Sequence, residues 1–340
     1  MPDRILLVRL GALGDLVHLM PALDALRRSL PRARLTWVCE DRFAGLLREH
    51  PQIDRLLEAP RRQGGLKAWT AFVKALRGEP YDVAVDLQGL LKAAWIVRAS
   101  GAPERLGYAP PLGKEGSHLL MTGTTRIPPD PPSEHHTERA LILLEALGVS
   151  REGARARFPR SAAAGQEALR VLGDPKGPRA LLWPSSSPGT RYRRWAPERY
   201  VEVAEALARD GAEILVPKAA DDEGLSDAIV ARLGGKARLL PYVSIPVLIE
   251  LLARLDLVVG GDSGPVHLAC SLGTPTVMIF GAKDPDRYAP RGGPLAAIYH
   301  PIGCNPCRNT WCEHVTCLDR VTSAEVMASA RGFLKRRRTA

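Results

Sequence analysis

Apolar and polar residues alternate along the chain in blocks that predict strands and helices in turn. Short apolar runs predict buried strands, which we place at residues 4–9, 35–39, 82–87, 179–183, 213–216, 255–259 and 276–280. Between these runs, apolar residues recur at helical spacing, which predicts helices at residues 16–30, 67–77, 197–209, 222–233 and 265–272. Strands that alternate with helices favour parallel sheets covered on both faces. The pattern therefore predicts an α/β fold.

The alternation weakens over residues 101–136 and 150–178, and it restarts at residue 179. A chain of 340 residues is too long for one ordinary core and suits two domains of roughly 150 residues each. We therefore predict a first domain, a linker region, a second domain and a C-terminal helix, with the bounds 1–155, 156–178, 179–320 and 321–340. The sequence TSAE at the start of the last segment is a capping box that opens this helix.

Composition and charge narrow the class of protein but leave its partner open. Hydrophobic residues make up 45% of the chain and charged residues 25%, which is typical of a globular protein. No apolar run reaches the roughly 18 residues of a membrane span, and the N-terminal run is too short for a secretory signal. We therefore expect a soluble, cytoplasmic protein. The net charge of +10 favours a nucleotide, a nucleic acid or an acidic membrane as partner, or it reflects only a basic, solvated surface.

Two glycine-containing turns follow predicted strands and have the chemistry of an anion site. Residues 9–15 read RLGALGD and residues 260–264 read GGDSG, and a predicted helix follows each turn. Glycine lets the backbone turn sharply, and the start of a helix offers free N–H groups and a positive dipole end to a phosphate. Ligands of open parallel sheets bind beyond the carboxyl ends of the strands, where both turns lie. The alternative is that Asp15, Asp262 and Ser263 only cap their helices.

Motifs of other nucleotide-binding proteins are missing or incomplete in this sequence. There is no GxxxxGK[ST] sequence, which excludes P-loop phosphoryl transfer. The first turn is G-x-x-G, one glycine short of the dinucleotide motif G-x-G-x-x-G. Glu40 at the end of the second predicted strand could bind a ribose, so a dinucleotide oxidoreductase stays as a rival interpretation.

The two turns lie in longer stretches that resemble glycosyltransferase family 9, the ADP-heptose:lipopolysaccharide heptosyltransferases. The stretches are ILLVRLGALGDLVHLMPALDALRRSLP, DVAVDLQGLLKAA, RRWAPERY, VVGGDSGPVHLACSLGTPTVMIFGAKDP and CNPCRNTWCEHVTC. The resemblance implies a GT-B fold, with two Rossmann-like domains facing across a cleft and a last helix that returns to the first domain. It also implies inverting transfer of a heptose or related sugar from an ADP-sugar to a lipopolysaccharide-core-type acceptor, with no required metal.

The resemblance assigns the catalytic base and the donor site. It implies that Asp15 removes the proton of the acceptor hydroxyl. Arg193 or Arg194 replaces the lysine that the family usually has, and an arginine can clamp a phosphate. Asp221 is the expected ribose contact, although Asp222 and Glu223 lie beside it. The full set of expected donor-binding residues is Ser186, Ser187, Thr190, Arg193, Arg194, Asp221, Asp262, Ser263, Gly264 and His267. The last of these, His267, could instead be a core histidine.

The acceptors of this family carry acidic sugars and phosphates, so the resemblance implies a basic acceptor site in the first domain. The candidates are Gly14, Arg61, Arg62, Lys67, Gln88 and Lys92. Arg61 and Arg62 could equally be solvated surface, and the pair His135 and His136 could border the acceptor. The basic tail at 335–338 could touch an anionic membrane or be solvated. We therefore expect an anionic glycolipid partner and peripheral contact with the inner membrane surface, with no nucleic acid bound.

The cysteines near the C-terminus are a separate question. The set Cys304, Cys307, Cys312 and Cys317 surrounds His314 with spacings that could hold a structural metal, a disulfide or free thiols. Cys39 and Cys270 lie in predicted core elements.

Two other functions fit part of the sequence. One is a GT-B sugar-nucleotide epimerase, which also has a DSG turn but needs no acceptor site. The other is a non-enzymatic basic module that binds membranes or nucleic acids, for which Asp15→Asn should have no effect.

Overall fold

The computed structural model describes residues 2–61, 64–130, 134–186, 189–220, 222–307, 312 and 314–338. The chain divides into two compact units, Met1–Pro159 and Arg160–Ala340. Each unit contains one six-stranded parallel sheet with helices packed on it. None of the helices in the described ranges is long and apolar enough to cross a membrane.

The first unit is built on a sheet of order β3-β2-β1-β4-β5-β6. Its strands are β1 (Arg4–Val8), β2 (Arg34–Glu40), β3 (Arg55–Ala59), β4 (Val83–Asp86), β5 (Glu104–Tyr108) and β6 (Gly123–Thr125). Its α-helices are α1 (Leu13–Ser29), α2 (Gly65–Leu76), α3 (Leu91–Ala99) and α4 (His136–Leu144). Leu6 and Val8 of β1 pack with Phe72 of α2 and Ile96 of α3, so α2 and α3 cover the same face of this sheet.

The second unit repeats this topology, with the sheet order β12-β11-β10-β7-β8-β9. Its strands are β7 (Arg179–Trp183), β8 (Glu213–Pro217), β9 (Ala237–Leu240), β10 (Leu257–Gly261), β11 (Thr276–Phe280) and β12 (Leu295–Tyr299). Its α-helices are α5 (Ala162–Leu172), α6 (Pro197–Arg209), α7 (Leu225–Arg232), α8 (Ile245–Leu252), α9 (Gly264–Ser271), α10 (Pro285–Tyr288), α11 (Thr316–Asp319) and α12 (Ser323–Arg338).

The strand order of both sheets is 3-2-1-4-5-6 when each unit is numbered from its own first strand. This is the Rossmann order, in which the direction of winding reverses between strands 1 and 4. In the first unit the reversal lies between β1 and β4, and in the second it lies between β7 and β10. Ligands bind at this point of such sheets, beyond the carboxyl ends of the strands. The topology therefore predicts a site in each unit beyond the carboxyl ends of the two strands at the reversal point.

Residues 162–172, which are predicted to lie in the linker region, form helix α5 in the structure. Ala164, Ala168 and Leu172 recur every four residues, and all three side chains are buried. The helix packs on α8, and the boundary between the two units falls just before it, at Pro159 and Arg160. The apolar stripe is short and lies between proline- and glycine-rich segments, so the sequence pattern alone does not predict this helix.

The C-terminal helix α12 packs on the second unit. Val326 and Ala330 lie in the core formed with α6, and Arg331 forms an ion pair of 2.7 Å with Asp210 at the end of α6. Just before the helix, Val321 O accepts a hydrogen bond of 3.0 Å from Trp195 Nε1. These contacts place the helix in the core of the second unit, and its expected return to the first domain stays a prediction.

A buried carboxylate joins the start of the second unit to its core. Glu250 on α8 accepts two hydrogen bonds from the guanidinium of Arg160, at 2.6 and 2.8 Å, and it also pairs with Arg254. Its side chain is only 4% exposed. The charged hydrogen bonds from Arg160 lower the pKa of Glu250 from 4.5 to about 2, against the opposing effect of burial.

We expect Glu250→Gln to lower the free energy of unfolding at pH 7 by about 2 kcal/mol, allowing for solvent screening at the half-exposed Arg160. Because the pKa is lower in the folded state, this contribution is complete above pH 4.5 and is lost as the pH falls towards about 2. Urea unfolding of both proteins at pH 7 and pH 3 measures the difference. Glu198→Gln, which breaks an exposed pair with Arg232, is the control and should have little effect at either pH. An equal cost of Glu250→Gln at both values of pH would contradict the assignment.

Candidate active site

The turn between β1 and α1 holds a carboxylate in a cluster of charged and polar groups. Asp15 lies in the first turn of α1, which begins at Leu13, and its Oδ2 is 2.7 Å from Nη2 of Arg9. The same oxygen accepts a hydrogen bond of 3.2 Å from the Ala12 N–H. Oδ1 lies 3.4 Å from Nδ1 of His136, the first residue of α4. About one third of the Asp15 side chain remains exposed, so the carboxylate is accessible.

The neighbours of Asp15 determine its charge. Burial alone would raise the pKa of this carboxyl, but the Arg9 guanidinium and the His136 imidazole outweigh burial and hold the pKa well below its usual range. Burial lowers the pKa of His136, and the Asp15 carboxylate opposes this effect only in part. Near pH 7 the site therefore contains an ionised carboxylate beside a neutral imidazole, whose Nδ1–H can point at Oδ1.

Residues that follow β4 hold the β1–α1 turn in place. Gln88 Oε1 accepts a hydrogen bond of 2.9 Å from the Leu10 N–H, and Arg9 Nη1 donates one of 2.9 Å to Leu87 O. Asp86 accepts from the N–H groups of Gln88 and Gly89, and burial raises the pKa of this carboxyl to about 6. The carboxyl ends of β1 and β4 thus form one hydrogen-bonded unit at the reversal point of the sheet.

The structure brings together only some of the residues expected at the acceptor side. Gly14, Asp15 and Gln88 lie within or against the β1–α1 turn. Arg61 instead forms an ion pair with Asp41, and Lys92 pairs with Glu40. Glu40, the ribose contact of the rival dinucleotide interpretation, is thus the ion-pair partner of Lys92. Lys67 lies exposed on α2. Arg62, the remaining candidate, lies outside the described residues.

The turn between β10 and α9 contains the second cluster. Asp262 Oδ1 is 2.8 Å from Nε2 of His267, and Oδ2 is 3.6 Å from Nη1 of Arg193. Burial would raise the pKa of Asp262, but the hydrogen bond with His267 and the charges of Arg193 and Lys283 together lower it. Asp262 is thus an ionised carboxylate surrounded by basic groups, and His267 contacts it rather than serving only as a core side chain.

Helix α9 begins at Gly264, immediately after this carboxylate. Ser263 is the N-cap residue and its hydroxyl makes no cap hydrogen bond. The Ser263 Oγ and the Arg193 Nε are buried, and neither has a hydrogen-bond partner within the described ranges. A Cβ on Gly260 would lie 2.6 Å from the Val266 side chain and 2.9 Å from Trp183 O, so only glycine fits there. Unsatisfied donors at the start of a helix are suited to a bound anion.

The loop after β7 completes the second cluster. Ser186 accepts a hydrogen bond of 3.1 Å from Arg194 Nε and donates one of 3.1 Å to Thr190 O. Arg194 also pairs with Glu223 at 3.4 Å. Ser185 donates to Asp222, whose other oxygen accepts from the Ser226 N–H, so Asp222 has a structural role. Two of the expected donor residues, Ser187 and Asp221, lie outside the described residues.

Three basic groups complete the two clusters. Arg9 and Lys283 were not predicted from the sequence as site residues, and His136 was expected only as a residue that could border the acceptor. Arg9 pairs with Asp15, His136 contacts the same carboxylate, and Lys283 follows β11 close enough to lower the pKa of Asp262. Arg9 and Lys283 lie within the stretches that carry the family resemblance, and Arg9 directly follows a predicted strand. Its position directly after a strand is the sequence feature that could have identified Arg9 as a site residue.

The described side chains of the C-terminal segment do not bring its cysteines together as a metal site. All six cysteines are free thiols, and burial raises the pKa of Cys317. Across the described ranges, no three His, Cys, Asp or Glu side chains are placed to hold a metal ion. The Cys39 and Cys270 side chains are buried, as predicted.

Two units with the Rossmann strand order in one chain give this protein the GT-B fold, which solved heptosyltransferase structures share. The sequence profile of glycosyltransferase family 9 (heptosyltransferase) matches residues 69–316. The chain therefore belongs to glycosyltransferase family 9, and it is a glycosyltransferase.

Known relatives match nearly the whole chain. Lipopolysaccharide heptosyltransferase 1 of Pseudomonas aeruginosa is 26% identical over 324 residues, which are 92% of this chain and 88% of that protein. The crystal structure of the glycosyl transferase family 9 from Veillonella parvula has a TM-score of 0.83 at 20% identity and 98% coverage of both chains. The E. coli heptosyltransferase WaaC, solved with ADP, has a TM-score of 0.77 at 24% identity, with 97% of this chain and 99% of that chain covered. The predicted family and fold class are confirmed.

Proposed function

We propose that this protein transfers a heptose, or a related sugar, from an ADP-sugar to a lipopolysaccharide-core-type acceptor with inversion at the anomeric carbon. Asp15 acts as the general base, and no metal is required. One observation carries the proposal: an accessible, ionised carboxylate lies at the reversal point of the first sheet, beside a guanidinium.

The proposed role of Asp15 follows from its charge and accessibility. An acceptor hydroxyl is a poor nucleophile until its proton is removed, and a carboxylate within hydrogen-bond reach can take that proton as the new C–O bond forms. Arg9 keeps Asp15 ionised and holds it in one orientation, while Ala12 N–H occupies the oxygen that faces the guanidinium. The part of the Asp15 carboxylate that stays exposed is then available to accept the proton of the acceptor hydroxyl.

The proposed donor site lies in the second unit. The leaving group is a nucleoside diphosphate, which requires positive charge and hydrogen-bond donors. The N-terminus of α9, the buried Ser263 hydroxyl and the Arg193 guanidinium supply both. Arg194 and Ser186 add a second donor pair on the loop after β7. Asp262, as an anion, is better suited to the hydroxyl groups of the sugar than to its phosphates.

Known relatives support the choice of donor and acceptor. The WaaC structure that this chain resembles was solved with ADP, and the Pseudomonas relative is named a lipopolysaccharide heptosyltransferase. We infer from these two observations that an adenine nucleotide sugar is the donor and a lipopolysaccharide glycolipid the acceptor.

A thermal-shift screen of ADP-heptose, UDP-sugars and GDP-sugars tests the proposed donor. At a ligand concentration near 100 times its Kd, the stabilisation of about 2.7 kcal/mol corresponds to a rise in Tm of about 5 °C or more. We expect ADP-heptose alone to reach this shift, with or without a chelator. A larger shift with a UDP- or GDP-sugar, or loss of the shift in the presence of the chelator, would contradict the proposed donor or the metal independence.

A further inference from the structure

Large exposed hydrophobic side chains are concentrated on one part of the first unit. Six such side chains occur among the described residues, and four of them lie on α2, on α3 or in the 3-10 turn Ser117–Leu120. The four are Leu66, Leu91, Trp95 and Leu119, with exposed fractions of 82%, 47%, 45% and 77%. The other two, Leu169 and Tyr242, lie in the second unit. Clustered exposed apolar groups are typical of interaction surfaces, whereas single ones are not.

Contacts between the elements place the parts of the chain that carry these side chains next to one another. Helices α2 and α3 cover the same face of the sheet, and the Trp69 and Trp95 rings meet edge to face with centroids 5.8 Å apart. Leu91 lies one turn before Trp95 on α3, and Leu66 lies one turn before Trp69 on α2. The turn that carries Leu119 packs against α3. We call Leu66, Trp69, Leu91, Trp95 and Leu119 the α2–α3 patch.

The charged residues around the α2–α3 patch are mostly basic. Neither α2 nor α3 contains an aspartate or a glutamate, and together they carry Lys67, Lys74, Lys92 and Arg98. Lys92 Nζ lies 5.6 Å from the centroid of the Trp69 ring and pairs with Glu40. Glu115 accepts a hydrogen bond from the Leu91 N–H, so two acids, Glu40 and Glu115, contact the start of α3. The apolar surface is therefore bordered by an excess of positive charge.

We propose that the α2–α3 patch docks the protein on an anionic phospholipid bilayer. Leucine and tryptophan side chains beside lysine and arginine are the combination that inserts into the interfacial region of such a membrane. Each basic residue near an anionic surface adds attraction that salt weakens. A protein partner fits less well, since lysine is depleted in protein interfaces. A second copy of the same surface would place like charges opposite each other in a two-fold interface.

Two of the basic residues expected at the acceptor lie beside the α2–α3 patch. Lys67 and Lys92 lie on the same two helices as the patch, so a membrane bound there brings lipid-anchored molecules to the first unit. The docking surface itself is defined by exposure and charge alone. It does not depend on the proposed sugar transfer, and the two proposals can fail separately.

Co-sedimentation of the full-length protein with vesicles tests the docking surface. The vesicles contain phosphatidylcholine, with or without about one third phosphatidylglycerol, and no glycolipid. We expect binding to the anionic vesicles that weakens with salt. Leu66→Ser with Leu119→Ser should lower the partition coefficient about tenfold or more. Both side chains are more than three quarters exposed, so the double variant should fold normally.

The control is Leu169→Ser with Tyr242→Ser, which removes two exposed apolar side chains of the second unit and should leave binding unchanged. Lys74→Glu with Arg98→Glu should abolish the preference for anionic vesicles. Transfer to a water-soluble acceptor should not change in the Leu66 and Leu119 double variant. Unaltered vesicle binding by that variant would overturn the proposal. Loss of vesicle binding after removal of residues 335–340 alone would also overturn it, because the tail would then be the docking site. A protein that binds no vesicles but forms a dimer through the patch would overturn it as well.

Discussion

Asp15→Asn should lower kcat about 10³-fold, while the affinity for the ADP-sugar stays within about twofold of the wild-type value. The amide has the shape of the carboxylate and can still accept from the Ala12 N–H, but it cannot take a proton from the acceptor hydroxyl. Donor affinity should persist because Asp15 lies in the first unit, whereas the proposed donor residues lie in the second. Steady-state kinetics and isothermal titration with the ADP-sugar measure the two effects separately.

Asp54→Asn is the matched control for this variant. Asp54 also pairs with an arginine, Arg27 at 2.6 Å, and also accepts a backbone hydrogen bond, from Leu35 N–H. Asp54→Asn removes a carboxylate with the same kinds of partner but with no proposed role in the transfer, so kcat should stay close to the wild-type value. If Asp15→Asn kept more than about one tenth of the wild-type turnover, Asp15 would not be the base.

Asp262→Asn should weaken binding of ADP-heptose about 10- to 100-fold but change the affinity for ADP by less than about threefold. The ionised carboxylate is expected to accept hydrogen bonds from the sugar hydroxyls, and charged hydrogen bonds contribute more than neutral ones. ADP lacks the sugar, and its proposed contacts with Arg193, Ser263 and the start of α9 should be unaffected by the substitution. Isothermal titration of both proteins with ADP-heptose and with ADP measures the change in each affinity.

Asp227→Asn, which breaks an exposed pair with Lys218 in the same unit, should not alter either affinity. An equal loss for ADP and ADP-heptose in Asp262→Asn would show that Asp262 only holds Arg193 and His267 in place. In that case the sugar would be recognised by other residues.

The sequence predicts the elements that flank both clusters to within three residues, because their signals are local; α1 begins at Leu13 rather than at residue 16, and β10 lies at 257–261 rather than at 255–259. The strand 276–280 and the helix 197–209 have the predicted bounds, and Asp15 and Asp262 follow strands as expected. An apolar run, a glycine turn and a helical stripe within some 30 residues are enough to place a carboxylate at the edge of a parallel sheet.

Edge strands and distant contacts could not be predicted in the same way. β6 has only three residues, GTT, and they are half-buried or exposed, so it carries no apolar pattern. The contact of His136 with Asp15 joins residues 121 positions apart, and no local pattern indicates it. Lys283 follows β11 within a recognised stretch, but its effect on Asp262 depends on how β10 and β11 pair.

The most direct test of the proposed transfer is the release of ADP from ADP-heptose by the wild-type protein, measured with and without a lipopolysaccharide-core-type glycolipid. We predict that ADP appears only when the glycolipid is present, in a one-to-one ratio with the heptosylated product, and that Asp15→Asn abolishes both. Conversion of the ADP-sugar into an isomer without any acceptor would contradict this account and favour an epimerase.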